Sequence, residues 1–146
     1  VCSSDLNNSS IQVTTLAGGE LALVFNPMSA DGARERRASL YDEIDDGDDR
    51  KEPVVTHGRA AFWGAPRAPM TVAISPDGGK SWPWQRHLDE GDGYCMTNNS
   101  LEKLNREFSY PSIKQGPDGA LHIAYTYFRQ AIKYVRVTPE WVKESI

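Results

Sequence analysis

The acidic run Asp42–Glu52 is the densest collection of potential ligands in the chain. It holds Asp42, Glu43, Asp45, Asp46, Asp48, Asp49 and Glu52 against Arg50 and Lys51. Carboxylates at alternate positions can ligate Ca²⁺. The glycine and the closing bidentate acid do not fall at EF-hand spacing, so the run reads as a solvated loop that repels itself open, and no metal is assigned. Of the two cysteines, Cys2 lies in the opening hexapeptide and Cys95 reads as a lone, inert, buried thiol. A third pattern is Ser75-Pro76-Asp77-Gly78-Gly79-Lys80-Ser81-Trp82, which fits Ser-x-Asp-x-Gly-x-[Ser/Thr]-Trp without a mismatch. Its chemistry is that of a turn. The Asp77 carboxylate can accept backbone N–H bonds, Gly79 supplies a φ that other residues resist, and Trp82 offers a large face to pack between strands.

The elements around these residues read as β-hairpins. Ile11–Leu16 and Glu20–Asn26 flank Ala17-Gly18-Gly19. Met70–Ser75 runs into the turn at Pro76–Gly79, with Trp82 and Trp84 beyond it. Tyr110–Gln115 and Ala120–Tyr127 flank Gly116-Pro117-Asp118-Gly119. Each joins a β-rich run to a Gly or Asp-Gly turn. Leu21, Leu23 and Phe25 alternate with smaller residues, as do Leu121, Ile123 and Tyr125, which predicts strands with one face packed more deeply than the other. Ala131–Val137 is a further strand. One helix is expected, with Thr138 as N-cap, Pro139 at the first position and Glu140 in the first turn, running to Ser145.

The fold class is therefore all-β. Turn residues recur at Gly18, Asp77 and Asp118, spaced by 59 and 41 residues. Periods of about 40–50 residues with four strands each mark propeller blades. At that period the chain holds two to three blades, fewer than the roughly four a closed ring requires. It is expected to be part of a larger ring: residues 1–6 as a non-native leader, 7–146 as a partial propeller domain, and 31–66 as a long acidic loop within it. The 146 residues carry a formal charge of −4, which offers no basic excess for nucleic acid, and no apolar run approaches the ~20 residues of a membrane-spanning helix.

The eight-residue box resembles the Asp-box, or BNR repeat, of the sialidases (neuraminidases). The likeness extends to Leu23-Val24-Phe25-Asn26-Pro27, to Arg67-Ala68-Pro69-Met70-Thr71-Val72-Ala73-Ile74-Ser75 leading into the box, to Phe108-Ser109-Tyr110-Pro111-Ser112-Ile113, and to Ala124-Tyr125-Thr126-Tyr127. In order and spacing these resemble the C-terminal part of a bacterial sialidase-like protein over roughly residues 7–141, with blades of a six-bladed propeller. The resemblance makes Ser75, Asp77, Gly79 and Trp82 structural, since the box lies away from the active face in that family.

It also implies an exo-glycosidase that releases terminal sialic acid with retention, without cofactor, acting on sialylated or other acidic glycans. Arg67 matches one of three arginines that hold the substrate carboxylate, a task suited to a planar, always-charged fork. Tyr110 matches the nucleophile, a tyrosine in place of the usual glycosidase carboxylate. A phenol avoids the repulsion a second carboxylate would meet at the attacked centre. The first two arginines, the acid/base aspartate and the glutamate base lie upstream in the family, so this chain by itself is expected to be inactive. Glu107 is not assigned the glutamate role. Pro111 departs from the serine that usually follows the tyrosine, and Asn7 and Asn8 fall near a polar pocket segment. Two other functions stay open: a non-catalytic carbohydrate-binding propeller, or a hydrolase of another acidic sugar. The family resemblance implies a secreted or periplasmic protein, and no signal-peptide pattern is read in the opening residues.

Overall fold

A computed structural model of the chain describes residues 9–28, 65–95, 97 and 101–144. The acidic run, the opening hexapeptide, Asn7 and Asn8 lie outside the described residues. Among these residues seven strands and one short helix follow in order: β1 (Gln12–Thr15), β2 (Leu21–Phe25), β3 (Met70–Ser75), β4 (Trp84–Asp89), β5 (Phe108–Gln115), β6 (Leu121–Tyr127), β7 (Ala131–Val137) and α1 (Pro139–Lys143). They build a four-stranded sheet in the order β1-β2-β3-β4 and a three-stranded sheet in the order β5-β6-β7, antiparallel throughout. The fold is all-β, two blade-like sheets of a partial β-propeller.

The expected hairpins form, and the first two join into one sheet. Strand β2 pairs with β3 across the whole intervening segment, in the register Ala22↔Ile74, Leu23↔Ala73 and Val24↔Val72. Both faces of these two central strands are covered, one by the second sheet and the other around Trp82. Strand β3 is buried at every position, and β2 from Ala22 to Phe25. The one-sided packing expected for β2 is therefore replaced by burial on both sides. Ala22 and Val24 face the second sheet, while Leu23 and Phe25 pack with Ala73 against Trp82. Strand β6 keeps the expected alternation, with Leu121, Ile123 and Tyr125 buried and their neighbours half-buried.

The core lies between the sheets. Ala22, Val24, Met70, Val72 and Ile74 meet Phe108, Ile113, Leu121, Ile123 and Tyr125. The first strands of the two sheets are neighbours: Ile113 N–H donates to Gln12 Oε1 at 2.7 Å and Ala17 N–H to Gln115 Oε1 at 2.7 Å. Tyr125 donates its hydroxyl to Asp89, and Lys133 Nζ lies 2.7 Å from both Asp89 oxygens, so β4 is tied to β6 and β7 by polar contacts as well. Helix α1 starts as expected. Thr138 Oγ1 accepts from Trp141 N–H at 3.2 Å, Pro139 opens the first turn, and Val142 is buried in the inter-sheet core. The helix ends at Lys143 rather than reaching Ser145.

Candidate functional site

The chain reverses at both ends of each sheet, and the two ends carry different chemistry. At one end lie the β1–β2 turn, the turn between β3 and β4, and the β5–β6 turn. Ser75, Asp77, Gly79 and Trp82 belong to this end. Ser75 Oγ donates to Asp77 Oδ1 at 2.8 Å and accepts from Gly79 N–H at 2.8 Å. Asp77 then accepts from Ser81 N–H at 2.8 Å and from Ser81 Oγ at 2.6 Å. Hydrogen bonds from Ser81, reinforced by those from Ser75 and Lys80, hold the Asp77 carboxyl at a pKa of about 2. These hydrogen bonds tie the turn together from within.

The opposite end gathers Arg67, Gly93, Glu107, Tyr110 and Arg129. Arg67 sits three residues before β3, and its backbone is clasped from two sides. Its N–H donates to Gly93 O at 2.9 Å and its carbonyl accepts from Phe108 N–H at 2.8 Å. Gly93 has φ +65°, and a Cβ there would stand 2.5 Å from Arg67 N and 2.6 Å from Ala68 N, so the approach admits a glycine alone. The clasp leaves the Arg67 side chain 15% exposed. Its guanidinium carbon lies 5.6 Å from the centre of the Tyr110 ring. Among the described residues its guanidinium makes no hydrogen bond, and its closest charge is Glu107 Oε1 at 3.8 Å from Nη1.

Tyr110 owes its position to a break in a ladder. The β5–β6 register jumps between Ser109 and Ser112, so Tyr110 and Pro111 have no partner on β6. Tyr110 takes φ +51°, an unfavourable conformation for an aromatic residue, and its side chain turns outward to 61% exposure. The other described tyrosines are engaged differently. Tyr125 is buried on Asp89, and burial together with that hydrogen bond pushes its pKa far up. Tyr127 stacks on Phe128, Tyr134 shares a hydrogen bond with His122, and Tyr94 lies under Arg106.

Sequence reasoning placed Arg67 and Tyr110 forty-three positions apart; the fold brings them into ring contact. Glu107 and Arg129, which no sequence motif singles out, join them there. Glu107 is fully buried and its Oε1 accepts from Arg129 Nε at 2.7 Å and Ser109 Oγ at 3.0 Å. Arg129 also donates to Thr97 O at 3.0 Å. Burial works against the Arg129 charge, but the Glu107 hydrogen bond and charge outweigh it and raise the Arg129 pKa. The available signal was the charged pair Arg106-Glu107 directly before an apolar strand, too common a pattern to single out. Among the described residues the cluster holds two guanidiniums against one carboxylate, a net positive charge suited to an anionic group. Cys95 is buried and donates to Ala65 O at 3.1 Å. Among the described residues no group of three or more His, Cys, Asp or Glu side chains is disposed to hold a metal ion.

A search of curated proteins finds no match to the chain. A family model described as a BNR repeat-like domain matches residues 2–123, which spans the turn at Asp77, the clasp around Arg67 and the strained segment at Tyr110. The chain belongs to the BNR repeat-like domain family.

Proposed function

We propose that the protein containing this chain is a sialidase-type glycosidase acting on terminal acidic sugars, with Arg67 binding the substrate carboxylate and Tyr110 as the nucleophile. The observation that carries this is the Arg67–Tyr110 pair: a nearly buried guanidinium, hydrogen-bonded to none of the described residues, over the ring of an exposed and strained tyrosine. A guanidinium with its donors unspent can take a carboxylate bidentately. The phenol beside it then lies near the anomeric carbon that bears the carboxylate.

In this proposal the Tyr110 oxygen attacks that carbon as the bond to the leaving oxygen breaks. The phenolic proton passes to a base and the leaving oxygen takes a proton from an acid, both from other blades. Water then cleaves the tyrosyl–sugar bond, so configuration is retained. The test is Tyr110→Phe in the full-length protein, which keeps the ring and its packing and removes only the attacking oxygen. Hydrolysis of an aryl sialoside is expected to fall by orders of magnitude at nearly unchanged melting temperature. A fluorinated sialic acid that traps the intermediate should label Tyr110. Wild-type turnover in the Phe variant refutes the nucleophile. Binding of sialic acid with no turnover by the wild-type protein would establish the non-catalytic carbohydrate-binding function instead, and turnover confined to a different acidic sugar would shift the substrate.

A further inference from the structure

Glu107 combines features that are costly together. Its side chain is fully buried, Oε1 carries three contacts, and Oε2 is buried with no hydrogen-bond partner among the described residues. A carboxylate oxygen without a partner in a buried setting is destabilising and calls for an explanation. Arg129, its main partner, stands in a second costly arrangement. Phe128 and Arg129 take φ +56° and +54° with Gln130 N–H donating to Tyr127 O at 3.0 Å, the signature of a type I′ turn built without glycine or asparagine. The turn is held by Phe128, which stacks 4.2 Å from Tyr127 and donates its N–H to Glu107 O at 2.9 Å, and by the Arg129–Glu107 bond itself. Strain concentrated on one carboxylate, next to the strained Tyr110, points to a role at the site.

We infer that Glu107 is a positioning residue for the Arg67 guanidinium, with Arg129 as the counter-charge that locks Glu107 in place. The inference rests on the reading of Arg67 as a ligand of the substrate carboxylate. At 3.8 Å from Nη1, Glu107 steers Arg67 by charge without consuming its hydrogen-bond donors. Tyr110 limits the same guanidinium from its ring face. Arg129, tied to Glu107 Oε1 and Thr97 O, keeps the carboxylate from swinging toward Arg67 and closing the fork. The arrangement presents an aimed, unoccupied guanidinium to an incoming carboxylate, so its ordering cost is met before binding.

The test uses the full-length protein with free sialic acid as the probe, read by titration calorimetry, and an aryl sialoside for kinetics. Glu107→Gln is expected to weaken sialic acid binding and raise KM by roughly tenfold, with a smaller change in kcat. Glu107→Asp should restore part of the loss. In an Arg67→Lys background the same substitution should have much less effect, because its target is gone. A lower melting temperature with unchanged Kd and KM would make Glu107 merely structural and overturn the inference. Should Glu107→Gln not fold, Ser109→Ala removes one hydrogen bond from Oε1 and alters no charge. It should weaken binding in the same direction, and unchanged binding overturns the inference. If Arg67→Lys weakens binding while Glu107→Gln does not, positioning fails and the role of Arg67 stands; if Arg67→Lys changes nothing, both fail.

Discussion

Replacing Gly93 by alanine tests the clasp that sets Arg67 in place. Alanine must adopt φ +65°, which costs roughly 1–2 kcal/mol for a residue with a Cβ. The new methyl also meets backbone: Arg67 N at 2.5 Å, Ala68 N at 2.6 Å and Arg67 C at 2.8 Å. Those atoms cannot rotate away as a side chain would, so the Arg67 segment must move off. That movement breaks the 2.9 Å bond from Arg67 N–H to Gly93 O, worth about 1 kcal/mol. The total is about 2–3 kcal/mol before any further strain. Gly119→Ala is the control, because Gly119 has φ +79° with nothing within 4 Å of its Cβ position, so it bears the conformational cost alone. Urea unfolding of the full-length protein should place Gly93→Ala at least about 1 kcal/mol below Gly119→Ala, the value of the lost hydrogen bond. Gly93→Ala should also raise KM for an acidic sugar, while Gly119→Ala should not. Equal stabilities for the two variants, or an unaltered KM in Gly93→Ala, would refute the clasp as the device that places Arg67.

Two further outcomes follow from the two ends of the sheets. Arg67→Lys keeps the charge and loses the fork, so kcat/KM on an acidic sugar should fall by an amount worth about 1.5–3 kcal/mol with melting temperature nearly fixed; unchanged kinetics would remove Arg67 from the site. Asp77 has its folded pKa lowered from 3.8 to about 2, so its stabilisation is complete above about pH 4 and is lost as pH falls toward 2. Asp77→Asn should therefore be less stable than wild type near neutral pH, and the gap in urea midpoint should close between pH 4 and pH 2. A gap that stays constant through that window would show that the carboxylate's hydrogen bonds do not hold the turn. Kinetic constants should be unaffected, since Asp77 lies at the opposite end of the sheet from Arg67 and Tyr110.

What the sequence determined by itself was whatever short-range chemistry decides. The strand limits of Met70–Ser75 and Ala131–Val137 were legible to the residue, because β-rich runs end at turn residues or at a helix cap. So was the capped start of the helix at Thr138-Pro139, since a hydroxyl and the N–H groups it accepts from lie within one turn. The geometry of Ser75–Trp82 was legible for the same reason. Tertiary structure decided everything that joins distant segments. The β2–β3 pairing depends on a chain closure that no local pattern encodes, and the burial of both faces of β2 depends on the second sheet on one side and Trp82 on the other. Local propensity argues against positive φ at Tyr110, Phe128 and Arg129, so only surrounding contacts explain it: a register break at Tyr110, and stacking and an ion pair at the other two. Arg67, Glu107 and Arg129 are ordinary surface-type residues by composition. They become a charge cluster because three separate loops reach the same end of the two sheets, where one buried carboxylate lies within 4 Å of both guanidiniums.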